Sequence, residues 1–384
     1  MVRRVRVGSG LHTVARQFGV SVSTVSWWVS RSAGQRLDRV SFADLKRGRA
    51  WNRIEPAMEQ RILQTRAYLR EQSVLGEYGA DAIEQALHQE RSAELVSRAT
   101  INRVLKRHGA TDAHGRVRRP APPKGWYLPE VAQGRAELDC FDFIEDLKIA
   151  GGPLVGVLTG KSLHGLLTDA WVLDKLSAKG CVPCLLGRWR RDGLPVYAQF
   201  DNDTVFQGAH QFPDTVGRIS RLCLALGVIP VFVPPMEHGM QNLIEGFNAL
   251  WQAKVWQRHH VGSAHELQAR SDAYIAAHRA RSRQGVDAAP LRRPMPEHFE
   301  FDVHVPLRGQ MIFIRRTAES GNVHLLGQHF AVSPEWPHRL VRCEVDFDHH
   351  CIRCFTLRRR APTEQALLAT LEYHRPHKRF RGDL

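Results

Sequence analysis

Apolar positions along the chain fall into three kinds of pattern. From Leu11 to Arg31 they recur at helical spacing, interrupted at Gly19. Ala15, Gly19 and Val25 stand where a helical hairpin needs a small residue, a turn glycine and an apolar contact, with Val25 and Trp28 facing inward. Glu55 to His108 is again helical, with a second hairpin from Tyr78–Gln89 and Ser97–His108, capped by Ser97 and Gly109. Between Ala132 and Val261 the period alternates. Glu137–Ile144, Pro153–Leu163 and Leu166–Leu173 read as strands, the last two joined at His164–Gly165. A helix over Asp174–Trp189, weakened by Gly180 and Pro183, leads to a strand at Pro195–Phe200. A helix at Pro213–Leu226, a strand at Ile229–Val233 stopped by Pro234 and Pro235, and a long helix from Met240 to near His260 complete the stretch. In that last helix Leu243, Phe247, Leu250 and Trp251 share one face, widened by Met240 and Ile244. Gln241, Glu245, Asn248 and Gln252 share the other. A charged helix over Ala264–Arg283 and a Pro/Arg-rich piece over Ala288–Pro296 precede short strands between Pro306 and Leu357, and a short helix is expected after Ala361.

Charge changes this picture. The 384 residues carry 54 Lys and Arg against 39 Asp and Glu, a formal net charge of +15, which favours a polyanionic partner. The outward positions of the second helix of the first hairpin, Ser23, Ser26, Trp27 and Ser30, then become candidates for reading a DNA groove. Arg98, Arg103, Lys106 and Arg107 make the second hairpin basic, as a further helix-turn-helix unit would be. The prolines and arginines of Gly109–Pro129 mark an extended linker. No apolar run is long enough to span a membrane, and no apolar segment follows the basic start, so neither a membrane partner nor a signal peptide is expected. A cytoplasmic, nucleoid-associated location follows, with seven reduced cysteines. Two Cys-x-x-Cys pairs, Cys181/Cys184 and Cys351/Cys354, lie far apart; the second has His349 and His350 beside it, but zinc is not expected. No GxxxxGK[ST] loop occurs, so no nucleotide cofactor is implied.

The candidate chemistry lies in carboxylates on rigid elements. Asp142 sits in the second half of an apolar strand, Asp201 where a buried strand runs out, and Glu245 on the polar face of the long helix. An acid within an apolar strand costs several kcal/mol, as an order of magnitude, unless it is paired or binds a metal. Three carboxylates so mounted suit two hard cations such as Mg²⁺.

The stretches FDF followed by EDLKI, then FDN, then PP-x5-Q-x3-E-x-FN resemble the catalytic core of insertion-sequence transposases of the retroviral-integrase, or DDE, superfamily. The likeness covers most of the chain and is most specific in the core. It implies a multidomain protein: helix-turn-helix at 1–50, a second helical domain at 51–109, a basic linker at 110–131, and a ribonuclease H-like α/β core with a mixed five-stranded sheet at 132–262. A helical connector at 263–300, a small all-β SH3-like barrel at 301–360 and a basic tail at 361–384 would follow. It implies Asp142, Asp201 and Glu245 as catalytic metal ligands for Mg²⁺ or Mn²⁺, Asp142 bridging two ions. Asp139 rivals Asp142, while Asp203 and Glu237 rival Glu245, because Asp203 stands where these enzymes have Gly and about eight extra residues lie around Gln207–Thr215. Asn202, Gln241 and Asn248 are secondary candidates, and Arg315, Arg316 and Arg358–Arg360 of the barrel are expected on phosphates. The implied activity is cleavage and strand transfer on double-stranded DNA, element ends and target, by a homo-oligomer. A stand-alone nuclease and a regulator built on a dead core are the alternatives.

Overall fold

The computed structural model describes residues 1–41, 54–90, 96–111, 123–209, 212–234, 237, 239–376 and 380. Nearly all of the expected polar connection at 41–50, half of the basic linker and the end of the tail lie outside these residues. Contacts divide the chain into two compact units, Met1–Arg61 and Ile62–Leu384.

In the first unit, helices α1 (Val2–Arg6), α2 (Leu11–Phe18) and α3 (Val22–Arg31) close on Val14, Ala15 and Val25. Gly19 ends α2 in the left-handed region at φ 62°, which a glycine adopts without strain. The Ser21 hydroxyl caps α3 by accepting from the Thr24 N–H at 3.1 Å. Helix α4 (Pro56–Gln72) begins here and runs into the second unit.

The second unit continues with α5 (Ala80–Gln89), α6 (Arg98–Arg107) and the short α7 (Pro129–Ala132). Strands β1 (Leu138–Lys148), β2 (Leu154–Ser162) and β3 (Thr168–Leu173) form an antiparallel meander. Helix α8 (Ala178–Asp192), capped by Ser177 and tolerating Pro183 in its first half, leads to β4 (Tyr197–Phe200). Helices α9 (Thr204–Gln207) and α10 (Arg218–Ala225) precede β5 (Ile229–Phe232), then come α11 (Asn242–Trp251) with a π-helical turn over Gln252–Trp256, α12 (Ala264–Arg281) and α13 (Arg283–Asp287). The first five strands stand in the expected order β3-β2-β1-β4-β5, with β4 and β5 parallel to β1.

Beyond β5 the structure departs from expectation. Strands β6 (Gln310–Arg316), β9 (Leu340–Asp346), β10 (Cys351–Thr356) and β11 (Leu367–Glu372) extend the same sheet to nine strands, and only β7 (Asn322–Leu325) and β8 (Gln328–Ala331) pair apart from it. No ring of strands closes a separate barrel among the described residues. The join is parallel, Val231 against Ile312 and Phe232 against Phe313. Its cause is apolar: Met311, Ile312, Phe313 and Ile314 are all buried, so β6 caps the edge that β5 would otherwise expose. Phe141, Phe200, Phe232 and Phe313 form a row across β1, β4, β5 and β6, with successive centroids 5.5, 6.0 and 5.2 Å apart. The helix expected after Ala361 is instead the edge strand β11, registered on β10.

One apolar core covers each face. Trp189, Ile219, Leu222 and Phe206 lie on the face bearing Phe141 and Phe200. Ile244, Phe247, Trp251, Leu267 and Tyr274 lie on the face bearing Leu138, Cys140 and Ile144. The buried stripe of α11 is turned from the expected one: Ile244, Phe247, Asn248 and Trp251 are buried, whereas Leu250 is 45% exposed. The extra residues after Asp201 form α9 and a loop pinched at its base, where the Gly217 N–H donates to the Gln207 carbonyl at 2.9 Å. A Cβ on Gly208 would come within 2.7 Å of the Gly217 nitrogen, so the two backbones can touch only because both residues are glycine. The insertion therefore leaves and returns at one point and does not displace β5 or α11.

Candidate carboxylate site

Strand parity separates the two candidates for the first acid. Residues three apart on a strand face opposite sides. Asp139 points into the α8 face and is fully buried. Arg292 grips it with two N–H donors at 2.9 and 2.7 Å, and Arg188 with two at 3.0 and 3.2 Å, while Ser162 and the Trp189 indole add one each. Burial opposes its charge, but the two arginines outweigh that and hold its carboxyl well below the usual range. Arg188 also pairs with Asp169, which Arg191 and Arg279 share. Asp139 is thus the centre of a buried, charge-balanced network rather than an open ligand.

Asp142 points to the α11 face, opposite Thr159 of β2. Asn248 donates to its Oδ2 at 2.8 Å, and the Asn248 carbonyl oxygen accepts from the Thr159 hydroxyl at 2.7 Å. Leu138 pairs with Tyr197 and Cys140 with Gln199, so the same register carried on two residues sets Asp201 beside Asp142. Burial pushes the Asp142 carboxyl up to about 7, and the charges of Asp201 and Glu245 push the same way, against the Phe143 N–H and the Asn248 amide. Asp201 is raised too, by burial and by Asp203 and Glu145. Glu245 is exposed in the first turn of α11. No Lys or Arg among the described residues pairs with Asp142, Asp201 or Glu245, in contrast to Asp139. Carboxylates without a basic partner, one of them raised by its two neighbours, fit a hard dication by charge and donor type. As they stand, no three His, Cys, Asp or Glu among the described residues have closed around one point.

The rivals for the third acid have other partners. Glu237 pairs with Arg316. Asp203 caps α9, accepting from the Val205 N–H at 2.7 Å, and its own N–H donates to Asp201 at 3.0 Å. Its place after Asp-Asn is therefore explained by the helix that opens the insertion. Asn202 accepts from Arg315 at 2.8 Å, and Gln241 precedes α11 with its amide nitrogen buried and unbonded. Asn248 is the residue the sequence undervalued. Its place on the polar half of the helix hid that it reaches the sheet; if Asp142 holds a metal for DNA cleavage, changing Asn248 to Ala should lower that activity by about 10- to 100-fold, with the deficit shrinking as Mn²⁺ is raised in a cleavage titration.

Of the groups expected on DNA, Ser23, Ser26, Trp27 and Ser30 are exposed on α3, where Arg31 stacks over Trp27 at 5.1 Å. Arg103, Lys106 and Arg107 are exposed on α6, whereas Arg98 is paired with Asp81 at 2.8 Å. Arg315 is not at the surface: it is 9% exposed and holds backbone carbonyls. Arg358 pairs with Glu364, and Arg359 stacks on Trp126. The cysteines of the two Cys-x-x-Cys pairs are free, and Cys354 faces Cys343 across β9 and β10. Among the described residues no helix is long and apolar enough to cross a membrane.

No family model and no curated protein sequence matches this chain. Solved structures of retroviral integrases do. The catalytic core domain of BIV integrase is similar over 36% of this chain and 81% of its own, at 17% identity and a TM-score of 0.27. The HTLV-2 integrase catalytic core domain in complex with magnesium is similar over 38% and 80%, at 9% identity and 0.25. The simian T-cell lymphotropic virus intasome in complex with the PP2A regulatory subunit B56 gamma is similar over 78% and 96%, at 12% identity and 0.35.

Proposed function

We propose that this chain is a DNA transposase of the DDE type, which binds the ends of an insertion element and carries out metal-dependent cleavage and strand transfer. One observation carries the reading: Asp142, Asp201 and Glu245 repel one another through Asp142 and have no basic partner among the described residues. Asp142 lies on β1, Asp201 directly follows the neighbouring β4, and Glu245 is on a helix whose other face is packed on the sheet, which favours a fixed direction for each. These three would hold two Mg²⁺ ions, and the ions, when bound, supply Lewis acidity to the attacking and leaving oxygens of a phosphodiester. Asn248 keeps the Asp142 carboxylate turned toward α11 through its bond to Oδ2. The carboxylates must be ionised to bind metal, so protons compete with the ion at Asp142 first. The exposed face of α3 and the basic face of α6 are read as contacts to double-stranded DNA, with more than one copy of the chain acting on it. Binding through such cations weakens steeply with salt.

The experiment is a set of three single changes, Glu245→Gln, Glu237→Gln and Asp203→Asn, assayed for joining of end oligonucleotides to a target over a range of Mg²⁺ and Mn²⁺. Only Glu245→Gln is expected to abolish joining. An active Glu245→Gln protein beside a dead Glu237→Gln one moves the third acid to the loop before α11. Wild-type cleavage without joining points to a nuclease, and no metal-dependent cleavage at all points to a regulator.

A further inference from the structure

Beside Asn202 the second unit holds a half-open cavity of about 670 Å³, walled by Asn202, Glu237, Arg315, Arg316, Leu325 and Leu326 among others. Its chemistry is set by Arg315, which leaves β6 and is 9% exposed. Its Nε donates to the His324 carbonyl at 3.2 Å. Its Nη1 serves the carbonyls of Phe232, Val233 and Ile314 at 3.3, 3.4 and 2.8 Å, and its Nη2 donates to Asn202 Oδ1 at 2.8 Å. Every acceptor is neutral. The contrast with Arg188 is direct: that guanidinium, fully buried, faces Asp139 and Asp169. No carboxylate among the described residues pairs with Arg315, and burial pulls its guanidinium down to about 10. A buried cation with dipoles but no counter-anion is costly, and it favours an anion that enters from outside. Nη2 keeps a second N–H with which to meet one.

The rest of the wall suits a phosphate attached to something larger. Arg316 stands at the rim, 49% exposed, paired with Glu237, so two guanidiniums face one carboxylate and the wall is net positive. Leu325 and Leu326, each 1% exposed, close the back of the cavity with apolar atoms. The volume is within the range of small-ligand sites, roughly 300–1,000 Å³.

We propose that this cavity binds the phosphate of a single nucleotide, with Arg315 as its buried counter-cation. The affinity for phosphate does not rest on the reading of the carboxylate site.

The test is calorimetry on the full chain in EDTA with inorganic phosphate, thymidine 5′-monophosphate, thymidine, and the dinucleoside monophosphate TpT. The monophosphate should bind at least about tenfold more tightly than thymidine, inorganic phosphate should displace it, and the preference should fall as salt rises. TpT binding as well as the monophosphate would assign the site to an internal phosphodiester, and TpT binding like thymidine to a strand end. Arg316→Glu, at an exposed position that leaves the fold intact, should weaken the monophosphate about tenfold or more. Arg315→Lys should weaken it as well, and where that variant fails to fold, Arg316→Glu decides. Equal binding of thymidine and its monophosphate, or an unchanged affinity in Arg316→Glu, overturns the proposal. Asp142→Asn should keep the monophosphate site while losing cleavage, so a protein that cuts DNA but ignores the monophosphate sinks this inference alone.

Discussion

Changing Asp142 to Asn is expected to abolish DNA cleavage and strand transfer while making the metal-free protein more stable at pH 8. The first effect follows from removing a ligand whose charge the reaction needs. Loss of one neutral donor to a developing charge already costs ~10²–10³ in rate, so loss of a charged ligand should cost on the order of 10³ or more. DNA binding should stay nearly intact, and Asp201→Asn should behave alike in the cleavage assay. The second effect follows from the sign of the titration. The folded Asp142 carboxyl binds its proton up to about pH 7, whereas the unfolded chain releases it near the ordinary carboxylate value, roughly pH 4. Between those values the folded state holds more protons than the unfolded one. The part of the stability that Asp142 controls is therefore greatest below about pH 4, declines as pH rises to about 7, and stays low above it. The whole shift would correspond to roughly 4 kcal/mol. Asp142 is only half-buried, and screening by solvent reduces this to about 1–2 kcal/mol. Melting curves at pH 5 and pH 8 check it: the wild-type chain should lose more stability between them than Asp142→Asn does. Mg²⁺ should raise the wild-type melting temperature more at pH 8 than at pH 5 and leave that of Asp142→Asn nearly unchanged. A variant that cuts at the wild-type rate removes Asp142 from the reaction.

Changing Arg188 to Met should instead unfold or badly weaken the core. It leaves Asp139 and Asp169 buried without their shared guanidinium, and breaking such a network from one side costs about 3–5 kcal/mol. In a unit of this size that lowers the melting temperature by on the order of 10 °C. Asp139→Asn should destabilise too, since it strands Arg188 and Arg292. The observation to watch is the ratio of the two losses. If Asp139→Asn melts like the wild type yet neither cuts nor joins DNA, Asp139 belongs to the chemistry and the parity argument fails.

Much of this was open to reading from the residues alone, because local rules decide it. Asp142 lies within a strand whose alternation is plain, and Asp201 follows Phe200 where an apolar run stops, so both carboxylates could be placed at strand positions before any coordinates. The first five strands follow from the same alternation, while their order rested in part on the resemblance. The choice between Asp139 and Asp142 was also within reach, since they differ by an odd number of residues; what could not be read was which side of the sheet carried the arginines. Arg188 and Arg292 come from segments 49 and 153 residues away, and a charge network of that span leaves no local trace. The face of α11 was misjudged at Leu250 and Asn248 for a related reason. Periodicity ranks residues by polarity, while burial is settled by what the sheet offers, and here Thr159 and Asp142 offered partners to an amide. The expected barrel failed on pairing. Alternation shows that β6 is a strand but not which edge it joins, and the apolar rim of β5 was the nearest unfilled one.

The four phenylalanine rings that run from β1 to β6 change how the molecule should come apart. They bind the stretch that composition marks as the core to the stretch that composition marks as an appendage, through stacked surfaces and a shared ladder. A polypeptide ended near residue 300 would keep β5 with a bare, sticky rim and would tend to recruit other chains along it. Heat or denaturant should likewise melt both stretches in one cooperative step, as a single foldon rather than as two beads on a string.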